Sequence, residues 1–366
     1  MIGPVVPVPV PQEVLDALTS VKITSTAGQA TGFELTFTVS SRSPLQLLFL
    51  LSGGIAIPLV RVIVAVTVNG TPEVLIDGVM TDHQFALGAA GGQSTLTVIG
   101  EDLSRVMDYK DFSGIPFPAM PVEARVALLI AKYAIFGIIP LIVPTVLTDV
   151  PMPTERIPRQ RGTDLSYIKQ LAGEVGYVFY IEPGPLPGMN IGYWGPEIKV
   201  GVPQPALNID MDAHTNVESL SFRFNRDSRS MPAVYIQEPF TKLTIPIPIP
   251  DVSLLNPPLG LIPPIPKKFE PIEGTAKLSP LRAALFGLTK AAESANAVSA
   301  SGSLNVLRYG RVLKSRRLVG VRGAGTAFDG LYYVSSVTHH IKRGEYKQDF
   351  TLTRNGLIST IPVVST

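Results

Sequence analysis

The sequence predicts a mainly β protein with an α+β insert: two strand-rich regions, 1–105 and 206–366, flank a small middle region, 106–205. Three observations carry this. Period-two alternation of apolar and polar residues dominates both ends of the chain, as half-buried strands require. Helix-spaced apolar stripes are confined mainly to the middle. The chain closes on two strand patterns, 331–341 and 346–352, joined by Lys342-Arg343-Gly344-Glu345, which read as an antiparallel hairpin. Tyr346, Phe350 and Leu352 share one face of its last strand, and Lys347, Asp349, Thr351 and Thr353 the other.

In the first region Phe33, Leu35, Phe37 and Val39 alternate with Glu34, Thr36 and Thr38. Val62, Val64, Val66 and Val68 follow with the same period, and Asn69-Gly70 supplies a type I′ hairpin turn. A returning strand runs from Glu73 through Asp77-Gly78, and 94–100 forms another. Short strands with regular turns, and one short helix at 12–18, predict a small barrel or strongly curved sheet.

In the middle region Pro121 opens a helix with Val122, Val126, Leu129, Ile130 and Tyr133 on one face. A Pro-rich link, 140–158, precedes a second helix capped by Thr163 or Asp164 and ended by Gly176. Residues 177–181 and 189–194 make a hairpin.

From Ala206 the strand signal returns. Leu207, Ile209 and Met211 alternate with Asn208, Asp210 and Asp212, and Leu220, Phe222 and Phe224 alternate with Ser219, Ser221 and Arg223. A Pro-rich insertion, 239–276, is full of Ile and Leu; its prolines exclude a sheet interior and favour extended chain. Its apolar content favours an arm packed on a neighbour over a solvated linker. Ser279-Pro280 opens a helix, 279–299, with a small-residue face.

The 366 residues carry a formal charge of +2, so no basic field for nucleic acid is present. Cysteine is absent, which removes disulfide and thiol chemistry and fits a reducing compartment. Only 16% of residues are charged, and so apolar a chain is expected to bury surface in an oligomer. The apolar stretches 45–68 and 126–147 are broken by Gly, Pro and charge, so stable membrane insertion is not predicted.

Residues for catalysis are sparse. His83 and His214 are isolated, and His339 and His340 are adjacent, so on a strand they face opposite ways and cannot share a metal. Gly320, Gly323 and Gly325 precede a strand and not a helix, which excludes a dinucleotide site and predicts a tight β connection. Asp210 and Asp212, two apart on a strand, would share a side, a pattern commoner on a solvent face than in a carboxylate pair. The expectation is no enzyme, with no catalytic, cofactor-binding or metal residue and no cofactor.

Several motifs, in order along about residues 20–355, resemble a known family. Arg322-Gly323, then Asp329-Gly330, Tyr332, Val334 and His339, then Tyr346 and Phe350, are similar to the closing strands of the late-control D-type hub family of phage tails and contractile injection systems. Asp77-Gly78-Val79, residues 96–103, the helix at 164–172 and Gly176-Tyr177 look like earlier motifs of that family, which is similar also to the N-terminal part of type VI secretion spike proteins. The resemblance implies two tube-like β-barrel domains flanking a small α+β domain. It implies a homotrimer whose pseudo-sixfold ring joins the hexameric tail tube protein to a trimeric spike and meets other baseplate proteins. Such a particle component is assembled in the bacterial cytoplasm. The Pro-rich insertion departs from the family, and with the chain stopping at Thr366 the spike is expected as a separate protein. Two other classes compete: a cell-surface glycan-binding or glycan-cleaving β protein, for which the sole Trp194 is poor support, and a membrane-inserting pore component.

Overall fold

The computed structural model describes residues 1–39, 59–88, 93–145, 154, 157–227, 230–237, 244–248, 257–265, 268–272 and 296–361. The protein is mainly β.

Its first part comprises β1 (Ile2–Gly3), α1 (Gln12–Ala17), β2 (Leu18–Thr26), β3 (Gly32–Val39), β4 (Arg61–Val68), β5 (Thr71–Ala86) and β6 (Ser94–Asp102). Alternation decides which side is buried: Val21 and Ile23, Phe33, Leu35 and Phe37, and Leu96 and Val98 form one core. Asn69 and Gly70 turn β4 into β5 with φ of 48° and 80°, as a type I′ turn requires. The alternation of β4 breaks at a bulge between Val64 and Ala65, and Arg61, Val62 and Ile63 are all buried.

The middle part contains α2 (Val122–Ala131), β7 (Ile138–Ile142), α3 (Asp164–Val175), β8 (Val178–Pro183) and β9 (Asn190–Gly195). Thr163 caps α3, its hydroxyl accepting from the Ser166 amide at 3.2 Å, and Gly176 ends it at φ 76°. Both helices bury Val126, Leu129, Ile130, Ile168 and Leu171 against Phe179, Ile181 and Trp194. The expected Pro-rich link starts instead within a strand, because β7 runs parallel to β9 at the edge of a β7-β9-β8 sheet, where Pro140 is tolerated. Much of 146–156 lies outside the described residues.

The last part begins with β10 (Gln204–Asn208) and β11 (Ser219–Phe224). Next come β12 (Ser230–Gln237), β13 (Thr244–Pro248), β14 (Gly260–Ile262) and β15 (Lys268–Ile272). The Pro-rich insertion is thus partly a sheet, a correction to the extended-chain expectation. β13 and β15 flank β12, so Pro246, Pro248 and Pro271 sit on edge strands, where proline is tolerated, while Pro232 lies in the central β12. β16 (Val298–Asn305) corrects the end of the expected helix 279–299, since Val298 already pairs with Phe224; residues 279–295 lie outside the described part. The chain closes with α4 (Val306–Tyr309), β17 (Leu318–Arg322), β18 (Gly330–Lys342), β19 (Glu345–Arg354) and β20 (Leu357–Ser359). The β18–β19 hairpin turns at Arg343-Gly344, with Gly344 at φ 78°.

One sheet runs β1-β4-β5-β6-β3-β2-β18-β19-β16-β11, with β17 pairing β18 and β10 pairing β17. Within it a strand order recurs. The antiparallel series β4-β5-β6-β3-β2 follows the same chain sequence as β17-β18-β19-β16-β11, each being third, fourth, fifth, second and first of its set. The insertion bearing β12 to β15 falls between the first and second strands of the later set. β18 joins the two sets: residues 330–333 pair with β17, and residues 336–342 pair with β2.

Candidate functional site

The residues weighed for chemistry do not converge. His83 is half-buried in β5, and His214 ends a 3-10 turn, Asp212–His214. His339 and His340 face opposite ways, as a strand dictates. His339 is buried, its Nδ1 2.8 Å from the Tyr346 hydroxyl, whereas His340 meets the exposed Asp349 at 3.1 Å. Burial pushes the His339 imidazole down to about 4, with a smaller contribution from His340.

Asp210 and Asp212 depart from the expectation. β10 ends at Asn208, and both aspartates take left-handed backbone, φ 52° and 48°, in a turn. Asn216 Oδ1 accepts from the Asn208 amide at 2.8 Å, and Thr215 Oγ1 accepts from the Met211 amide at 2.9 Å. These side chains take backbone donors that a ladder would otherwise use. Gly323 and Gly325 have φ of 87° and 88° in the connection from β17 to β18, and a Cβ at Gly323 would strike the Ile209 carbonyl. Trp194 is fully buried, edge-on to Tyr177 at 4.8 Å, and offers no exposed aromatic platform. Among the described residues no cluster of three metal-ligating side chains occurs, and no helix is long and apolar enough to cross a membrane.

What the sequence does place together is architectural. Arg61, buried to 3% exposure, donates to both oxygens of Asp77 at 2.7 and 2.6 Å and to the Phe136 carbonyl at 2.8 Å. Asn190 Nδ2 donates to the same carboxylate at 2.8 Å. One buried ion pair thereby ties β4 and β5 to the middle part, with charge-assisted bonds satisfying most of its polar atoms. Reading residue by residue missed this pair; the Asp77-Gly78 motif is its only trace in the sequence. In the last part Arg354 donates to the carbonyls of Gly356, Asp329 and Ala327 at 2.8 to 2.9 Å and lies 4.4 Å over the Tyr332 ring. Gln348 both accepts from and donates to the Leu313 backbone, at 2.9 and 2.8 Å.

β11 ends the strand order, with no neighbour on its outer side among the described residues. Away from the cores, short hydroxyls meet across neighbouring strands: Thr26 with Ser336 at 3.0 Å, Thr24 with Thr338 at 3.2 Å, and Ser221 with Ser301 at 3.0 Å.

No family model and no curated protein matches the sequence. Solved structures do match in shape. A tail protein from Neisseria meningitidis superposes with a TM-score of 0.61 at 16% identity, covering 93% of both chains. A 43 kDa tail protein of prophage MuSo2 from Shewanella oneidensis gives 0.60 at 15% identity, covering 92% of this chain and 94% of its own. An Escherichia coli component of the type VI secretion system, described as structurally similar to T4 bacteriophage tail proteins, gives 0.51 at 11% identity over 94% of this chain and 77% of its own. The chain therefore has the fold of phage-tail and type VI secretion proteins, in keeping with its resemblance to the tail and baseplate hub family.

Proposed function

We propose that the protein is a structural baseplate hub, a homotrimer whose pseudo-sixfold ring joins a hexameric tail tube to a trimeric spike. The observation that carries this is the strand order repeated within one sheet. Three copies of a chain with two similar strand sets offer six similar elements to a sixfold partner and keep threefold symmetry for the other. On this reading 1–105 and 206–366 are tube-like domains flanking the α+β domain 106–205. The outer edge of β11 is suited to β-augmentation by the next element of a ring. The insertion 239–276 reaches a neighbouring subunit or another baseplate protein. The trimeric spike is its partner on the threefold side, and the whole assembles in the bacterial cytoplasm as part of a phage tail or tail-like particle. Such a role needs matched surfaces and stiffness, not a reactive centre.

Light scattering on the purified full chain, alone and with its spike partner, combined with particle imaging, tests this. A trimer with a six-lobed ring is expected. A monomer in both samples overturns the reading.

A further inference from the structure

The middle part holds a cavity of about 410 Å³ between α3 and residues 157–161. Three arginines line it: Arg125 from α2, and Arg159 and Arg161 from the loop before α3. Arg125 is only 5% exposed. Its Nη1 donates to the Tyr167 hydroxyl at 2.8 Å, and its Nε is buried without a partner. None of the three arginines makes an ion pair among the described residues. Glu174, also on the wall, accepts instead from Gln170 at 3.0 Å. Glu123, two residues before Arg125, accepts from the Thr145 amide at 2.9 Å. Arg125 feels Glu123 electrostatically but forms no ion pair with it, and a buried guanidinium lacking a direct carboxylate partner is costly, so the described residues leave a place for an anion.

The cavity is also preorganised. Phe117 N donates to the Pro158 carbonyl at 2.8 Å, Gln160 N to Ile115 at 2.9 Å, and Gly114 N to Gln160 at 2.9 Å. These bonds pin the arginine loop to residues 114–117, and Arg159 Nη1 adds a bond to the Gly114 carbonyl at 3.0 Å. Tyr167 is stacked on Phe117 at 5.9 Å. Little ordering remains to oppose binding.

We propose that this cavity receives an acidic side chain on an extended segment of a partner protein. Guanidinium forks match the planar carboxylate in geometry and charge. Ile157, Pro158 and Leu171 add an apolar wall that a free inorganic anion cannot use but a peptide can. That the partner is a particle component rests on the hub reading; the carboxylate specificity does not.

The test titrates acetyl-Leu-Asp-Leu-amide, its Asn counterpart and inorganic phosphate into the full chain, with light scattering on the same samples. The Asp peptide should saturate and bind at least tenfold tighter than the Asn peptide. Arg125→Gln should abolish binding. Arg161→Gln, at an exposed position where folding is insensitive, should weaken it about tenfold, or about 1.4 kcal/mol. Equal binding of the two peptides, no binding at low-millimolar concentration, an unaffected Arg161→Gln variant, or tighter binding of phosphate than of the Asp peptide each overturns the proposal. A trimeric ring that persists without peptide binding refutes the pocket alone; peptide binding by a persistent monomer refutes the hub alone.

Discussion

The buried imidazole of His339 makes the protein sensitive to acid. Folded, it titrates near 4; its unperturbed value is 6.5. Between those values the unfolded chain binds the extra proton, so His339's contribution is complete above about pH 6.5 and is lost as pH falls toward 4. Between pH 7 and pH 5 the loss amounts to about 2 kcal/mol. Urea unfolding at the two pH values should show His339→Gln losing less stability than the parent by that amount; parallel losses would remove His339 from the account. The opposed faces of His339 and His340 were legible because the period of a strand is two. The Arg61–Asp77–Asn190 node was not, because its third member lies 113 residues from the aspartate and no local pattern joins them. The turn at Asp210 and Asp212 was hidden for a different reason. An alternating pattern continues through 209–212, whereas the positive φ of Asp210 and Asp212 and the side-chain bonds of Thr215 and Asn216 show that the backbone has left the ladder.

At the scale of elements, glycines separate what pattern predicts from what packing demands. A Cβ at Gly78 would strike the Glu101 carbonyl, and one at Gly100 the Phe33 ring and the Val79 carbonyl. Neither has positive φ, so the constraint is close approach between β5, β6 and β3, not backbone strain. Gly78→Ala and Gly100→Ala should each destabilise by about 1–3 kcal/mol. Gly173→Ala, in the last turn of α3 with open space around its Cβ, should stabilise by about 0.5–1 kcal/mol. Denaturant midpoints of the three variants check the contrast in sign. Strands with clean alternation, helices with caps and the Asn69-Gly70 turn were readable in advance, because local chemistry decides them. Proline misled where tertiary context rules. Pro140 and the prolines of β13 and β15 sit on strands at sheet edges, and edge position is not written in a local pattern. The face along which the two halves meet was equally invisible, since nothing in β2 or β18 alone names the other as its partner.

At the scale of the molecule, residues 336–342 of β18 pair with residues 20–26 of β2. The ends of the chain are thus joined in one sheet, and neither strand set unfolds without exposing the other's edge. Hydrogen exchange should find the amides of β2 and of this half of β18 opening only with global unfolding. Rapid exchange of β2, with β18 and β19 still protected, would show instead two units that open separately. The shared strand has a mechanical consequence as well. A pull along the strands strains the seven register pairs of the β2–β18 seam in shear, together, whereas a pull across them peels the pairs away in turn. That seam is therefore stiffest along its own strands.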